Sequence, residues 1–183
     1  AEQPSVDTKL KNDIDLGTEI NMVGTRGIAY TGTFDGQGHT ITIDWNGNGG
    51  DYFALFPFVT DATIKNLRVT GQMMSDSQPL SVFSLAARGT TTYEHCISDV
   101  KITSGNKSSS NCAAGMVLSA YPESKITFND CIVAGDINGT VDNSQQNMGG
   151  FVSAQADDAT CTFNNCLYTG TNNAKGGYAF APK

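Results

Sequence analysis

One five-residue phrase constrains this chain more than anything else in it. It occurs as Thr63-Ile64-Lys65-Asn66-Leu67, Thr92-Tyr93-Glu94-His95-Cys96, Thr127-Phe128-Asn129-Asp130-Cys131 and Thr162-Phe163-Asn164-Asn165-Cys166, with spacings of 29, 35 and 35 residues. Each copy has threonine first, a large and mostly aromatic apolar residue second, a polar residue fourth and leucine or cysteine fifth. A period of this size marks a stacked array, in which each unit buries its apolar face against its neighbours. The pattern speaks to architecture and by itself names neither a reaction nor a ligand.

Alternation within the phrase selects the kind of array. Ala62, Ile64 and Leu67 alternate with polar neighbours, and the matching positions are Thr91/Tyr93/Cys96, Ile126/Phe128/Cys131 and Cys161/Phe163/Cys166. A period of two over such short runs is a strand signal, and no stretch sustains helical periodicity. One beat is skipped between the fourth and fifth residues, which predicts a corner after which the side chain still points inward. Twenty glycines with abundant Asn, Ser and Asp supply turns. The expectation is an all-β, right-handed parallel β-helix of about five coils with pectin-lyase-like architecture. Like residues would stack about 4.8 Å apart along its axis.

Bulk properties narrow the class. The 183 residues suit one domain with a sizeable core, residues 1–8 being a polar and poorly ordered lead-in. A net charge of −7 argues against nucleic acid as a partner, because phosphates need a basic stripe. No apolar run approaches the roughly 20 residues needed to span a bilayer, so membrane insertion is not expected. Five cysteines leave at least one unpaired within a monomer. The chain reads as a monomer, or as a fragment or processed form of a larger protein.

Taken in order, Leu10–Gly17 alternates as a strand, with Asp13 and Asp15 on one face as outward, solvated carboxylates. Asp35-Gly36-Gln37-Gly38 is a tight turn, and Ile41 and Ile43 begin the next strand. These glycines precede a strand and not a helix, so they are no phosphate cradle. His39 is tempting as a catalytic group, but its turn context favours a structural hydrogen bond. Later units open with strands at Phe53–Val59, Leu80–Ala86, Ala113–Ser119 and Gly149–Ala154.

Two stretches resemble a known family. Asp13-Ile14-Asp15-Leu16, and Tyr30 through Ile41 (Tyr30-Thr31-Gly32-Thr33-Phe34-Asp35-Gly36-Gln37-Gly38-His39-Thr40-Ile41), are similar to the opening coil of bacterial surface proteins carrying the GLUG motif. Gly115-Met116-Val117 and Gly150-Phe151-Val152 match the start of that family's later coils, although Leu118 and Ser153 replace the closing glycine; Phe53-Ala54-Leu55-Phe56 is a looser match. The resemblance implies a right-handed β-helix of adhesin-like character, secreted to the bacterial cell surface, and it carries no catalytic residues across.

Candidate binding residues lie in the turns. Trp45, the only tryptophan, could offer a sugar-stacking platform or act as a wedge over the core edge. Asp51 ends the Asn46–Asp51 run, which is similar to calcium-binding turns but occurs once, so no metal site is expected. Polar loops at Gln72–Pro79, Thr103–Asn111, Asn138–Gln146 and Thr171–Lys175 recur at one point of the repeat. They should therefore emerge from one edge, making Asn106, Lys107, Asn138 and Asp142 candidates for ligand contact. Asp157-Asp158 invites comparison with polysaccharide-cleaving β-helices, but the aligned Arg88 and Glu123 complete no catalytic set. The expectation is a non-enzymatic extracellular module with no cofactor, which binds a glycan or a surface protein or acts as a rigid spacer. The alternative is a polysaccharide lyase or glycoside hydrolase on the same scaffold.

Overall fold

The computed structural model describes residues 5–47, 53–107, 111–140 and 147–182. Among these, every regular element is a strand, every strand pairing is parallel, and no helix is long and apolar enough to cross a membrane. The first sheet orders Thr8–Lys9, Thr33–Asp35, Thr63–Lys65, Thr90–Glu94, Lys125–Asn129 and Thr160–Asn164. The second orders Ile14–Gly17, Thr40–Asn46, Arg68–Ser75, Ile97–Ser104, Ile132–Val133 and Leu167–Tyr168, with Ile137–Gly139 also on Ile97–Ser104. The third comprises Leu80–Ser81, Asn111–Ala114, Asn147–Gly149 and Gly176–Tyr178; the fourth comprises Phe58–Thr60, Ser84–Arg88, Val117–Ala120 and Val152–Gln155. From Thr63 to Tyr178 the chain visits the four sheets in this fixed cycle and returns each time one strand further along.

The repeated phrase forms the first sheet in the register its sequence predicts. Tyr93 is opposite Ile64 and Phe128, and Phe128 is opposite Phe163. Tyr93 and Phe128 stack with centroids 5.2 Å apart and planes inclined by 12°; Phe128 and Phe163 stack at 5.1 Å and 4°. Phe34 extends this rank one strand earlier, opposite Ile64. Tyr93 and Phe128 are fully buried, and the Tyr93 hydroxyl donates to Ser84 Oγ at 2.7 Å.

Each opening strand turns out to be two strands divided by a bend. Leu80–Ser81 is separated from Ser84–Arg88, Asn111–Ala114 from Val117–Ala120, and Asn147–Gly149 from Val152–Gln155. A straight strand would turn alternate residues outward, whereas Leu80–Ala87 and Cys112–Leu118 are buried throughout. Bending lets the consecutive pairs Val82-Phe83 and Met116-Val117 both enter the main core, while Leu85 and Leu118 pack with Ala54 and Ala114 in a second, smaller cluster. In the main core Phe83 meets Tyr93 edge-on at 6.1 Å, and Phe151 meets Phe128 edge-on at 5.6 Å. The bends nest because Gly115 and Gly150 lack side chains: a Cβ on Gly115 would strike the Gly150 carbonyl oxygen, and one on Gly150 the Ala179 carbonyl oxygen.

The lead-in is better tied down than its composition suggests. Thr8–Lys9 pairs with Thr33–Asp35, the Tyr30 hydroxyl donates to the Val6 carbonyl at 3.2 Å, and Thr33 N–H donates to Asp7 Oδ1 at 2.7 Å. The polar loops begin later than expected, because strands run on to Ser75, Ser104 and Gly139. Those three residues share one register level, so the loops do leave from one edge.

Leu67, Cys96, Cys131 and Cys166 form the second inward rank, tied by Ile97 N–H to Leu67 O, Ile132 N–H to Cys96 O and Leu167 N–H to Cys131 O at 2.9–3.0 Å. All five cysteines are free thiols. Cys96 Sγ lies 3.3 Å from Ile64 O, Cys131 Sγ 3.5 Å from Tyr93 O, and Cys166 Sγ 3.4 Å from Phe128 O. Each thiol therefore donates to the strand before it. Burial pushes the Cys96 thiol well up and those of Cys112 and Cys161 to about 11, which suppresses the reactive thiolate. A hydrogen bond with the Cys96 thiol holds that of Cys131 below its usual range, and its complete burial is what keeps reagents away.

Two outcomes are expected. Phe128→Ala should cost about 3–5 kcal/mol in denaturant melts, and the outward Thr127→Ala well under half of that; equal costs would refute the inside/outside assignment. Thiol titration should find Cys96, Cys112 and Cys131 silent in the native state, and Cys161 and Cys166, which are partly exposed, slow to react. Unfolding without reductant should release five thiols, and a count of one would mean two disulfides.

Candidate functional site

The corner after the repeated phrase has one backbone conformation in every copy. Asn66, His95, Asp130 and Asn165 lie at φ of 52°, 49°, 52° and 52°. This left-handed turn is what the skipped beat of alternation records, because it rotates the chain so that the fifth residue faces inward again. Asn and Asp are the side chains that tolerate this region best, and His is less common there. The corner amides continue the ladder: Asn66 N–H donates to Glu94 O, His95 N–H to Asn129 O and Asp130 N–H to Asn164 O, each at 2.9 Å. Backbone thus satisfies backbone at the corner, and the polar side chains are not needed for that purpose.

Those side chains are left to interact with one another and with solvent. Asn66 Nδ2 donates to Asp35 Oδ1 at 2.9 Å, Asn165 Nδ2 to Asp130 Oδ1 at 2.5 Å, and Asn164 Nδ2 to Asn129 Oδ1 at 2.8 Å. His95 is placed between two carboxylates, with Nδ1 3.4 Å from Glu94 and Nε2 3.4 Å from Asp130. Donation from the Asn66 amide, then from Gln37 N–H, holds the Asp35 carboxyl below its usual range. Arg68, one turn past the corner, pairs with Asp99 of the adjacent strand. Between these ranks lies an open groove of about 780 Å³, lined by Asp35, Gln37, Asn66, Arg68 and His95 among others.

The groove presents donors and acceptors at three successive strands, through Asp35, Asn66 and His95. Its lining holds the Asp35 carboxylate, the Thr40 hydroxyl and the His95 imidazole, but no serine, cysteine or lysine. Among the described residues, no group of three or more His, Cys, Asp or Glu side chains is placed to hold a metal ion.

The residues singled out in the turns are scattered. Trp45 is 1% exposed and its indole N–H donates to Glu19 O at 3.1 Å, so it is a core residue and offers no stacking platform. Asn106 is also buried, at 5% exposure, because the chain folds back there over Cys112, whose thiol lies 3.9 Å from Asn106 O. Asn138 is half-buried, its amide 3.5 Å from Ile102 O and its Oδ1 accepting from Asn173 at 3.1 Å. Lys107 is exposed, while Asp51 and Asp142 lie outside the described residues. His39 Nδ1 meets Asp13 Oδ1 at 3.1 Å, and Asp13 also accepts Thr40 N–H at 2.9 Å, which gives both residues a structural use. Asp15 accepts Gly17 N–H. Asp157 and Asp158 are exposed in a turn. The groove's signal was present in the phrase itself, whose fourth residue is always polar; Arg68 and Gln37 had none.

No family model, curated protein or solved structure matches the chain.

The corner conformation gives a direct test. His95→Asn should raise stability by a few tenths to about 1 kcal/mol, because Asn relieves left-handed strain. Asp130→Leu should cost about 1–2 kcal/mol on the same grounds, and Asp130→Asn should be near neutral. Melts in which Asp130→Asn is as damaging as Asp130→Leu would show that charge, and not backbone conformation, governs the corner.

Proposed function

We propose that the chain winds as a right-handed parallel β-helix of about five turns and serves as a surface module that binds a glycan in the corner groove without cleaving it. The cyclic visit to four parallel sheets around one apolar cluster supports the winding, and parallel crossovers are right-handed in nearly all known cases. The resemblance of Asp13–Leu16 and Tyr30–Ile41 to GLUG-motif proteins supports a place at the bacterial cell surface and an adhesin-like role.

The observation that carries the binding reading is the groove itself. Asp35, Asn66 and His95 place a polar side chain at each of three successive strands, at a spacing of about 4.8 Å, with Arg68 beside them, so an extended polymer of hydroxyl-bearing units meets a polar partner at each step. Short polar side chains already hydrogen-bonded to one another lose little freedom on binding.

A panel of pectins, alginates and host glycans, assayed for both retention and chain cleavage, tests the reading. A bound glycan should lose on the order of tenfold or more in affinity on replacing Asn66 and Arg68 together by alanine, since a lost bond to the Arg68 guanidinium is worth about 1.5–3 kcal/mol and one to the neutral Asn66 amide about 0.5–1.5 kcal/mol. New chain ends would establish the lyase or hydrolase reading. Unchanged binding by the double variant, or no binding across the panel, would move the function away from the groove.

A further inference from the structure

The outward face of the fourth sheet holds a second, smaller recess. Phe58, Ala86 and Ser119 occupy one outward rank, with Phe58 opposite Ala86 and Ala86 opposite Ser119. Thr60 and Arg88 occupy the next, and Tyr121, whose N–H donates to Ala87 O at 3.0 Å, follows Arg88. The small side chains at 86 and 119 leave a depression of about 100 Å³, walled by Arg26, Phe58 and Tyr121.

Two cations are held in place around it. Arg26 is at the tip of a tight turn closed by Thr25 N–H to Ile28 O at 2.8 Å and Ile28 N–H to Thr25 O at 3.2 Å. That turn is fastened to the sheet edge through Tyr30, which donates to Phe58 O and accepts from Thr60 N–H. The Arg88 guanidinium stands 4.3 Å from the Tyr121 ring centre, so the aromatic ring orients it. Among the described residues neither Arg26 nor Arg88 has a carboxylate within ion-pairing distance, whereas Arg68, the third arginine, has Asp99. In a chain of net charge −7, one of three arginines, Arg26, lines the recess, and a second, Arg88, stands beside it against the lining residue Tyr121. Asp61, next to Thr60, is engaged as acceptor for Thr90 N–H at 2.8 Å.

We infer that this recess binds the carboxylate of an acidic sugar, a uronate or a sialate. Guanidinium matches a carboxylate with two parallel N–H···O bonds, which an ammonium cannot reproduce. The volume admits a carboxylate and the adjoining edge of a pyranose, not a nucleotide. The apolar floor at Ala86 and Leu118 suits the C–H face of that ring, and the Tyr121 phenol lies at its rim. The site is separate from the corner groove, and its assignment does not depend on what the groove binds.

Calorimetry on the 183-residue chain with trigalacturonate and with sialyllactose, against the methyl ester of the first and against lactose, tests the assignment. At least one free acid should bind, while its neutral counterpart should bind at least about tenfold more weakly, the loss expected when a bidentate charge-assisted contact goes. Arg26→Ala and Arg88→Ala should each weaken the acid by a similar factor, Arg26→Lys should restore only part of the loss, and Lys125→Ala on the first sheet should change nothing. Thermal melts of each variant separate lost binding from lost fold, since both arginines are on the surface. Equal binding of ester and acid, binding unaffected by both arginine variants, competition by inorganic phosphate at the same affinity, or no binding of either acid by folded protein would each overturn the inference. Failure of the corner variants with success here would leave this site standing alone.

Discussion

The left-handed residue at each corner is the constraint on which the rest of this structure depends. A strand alternates its side chains in and out, so residues 64 and 67 could not both face the interior of a straight run. One residue at φ near +50° resets the alternation, and Ile64 and Leu67, or Phe128 and Cys131, then share one core. The opposite corner uses the same device at Asp61, Gly89 and Glu123, with φ of 50°, 58° and 60°. Because these turns superpose from copy to copy, the amide ladder passes through them unbroken. The aromatic stack and the thiol rank are consequences of that regularity.

The same constraint shapes the polar surface. A residue in the left-handed region cannot bury its side chain in the adjoining sheets, so the corner displays whatever it carries. Asn, His, Asp and Asn displayed in register make a continuous polar edge, and the strands on either side set the width of the groove beside it. Asn and Asp suit both a left-handed backbone and a solvated polar edge. For that reason Asn66, Asp130 and Asn165 can be read either way from sequence, and only their hydrogen bonds to neighbours distinguish the uses.

Much of the first sheet was legible because its period and alternation were both carried by large side chains in one short phrase. The bends between the third and fourth sheets were not, since a continuous buried run such as Leu80–Ala87 has no alternation to read. Trp45 looked like surface because it adjoins a Gly-rich run, yet it continues the alternation of Ile41 and Ile43 and is buried with them. Polar composition likewise placed Asn106 and Asn138 in an exposed loop edge, while strand pairing carried Asn138 into a ladder opposite Thr103. The arginine recess had no local signature at all. Arg26, Arg88 and Tyr121 are distant in sequence; the parallel register of the fourth sheet sets Tyr121 beside Arg88, and the Tyr30 bridge to that sheet brings the Arg26 turn to its edge.

Tyr93 has one hydroxyl in an aromatic rank that otherwise has none, and that hydroxyl determines more than its own bond. A column of phenylalanines is nearly degenerate: shifted by a whole repeat, each ring would find another ring to stack on. Among the described residues Ser84 is the partner Tyr93 has for its buried oxygen, and after such a slip the oxygen would be stranded at a cost of about 1–3 kcal/mol. The pair therefore works as an address label. It tells one repeat which neighbour is its own, and guards a self-similar chain against the folding error to which its regularity exposes it.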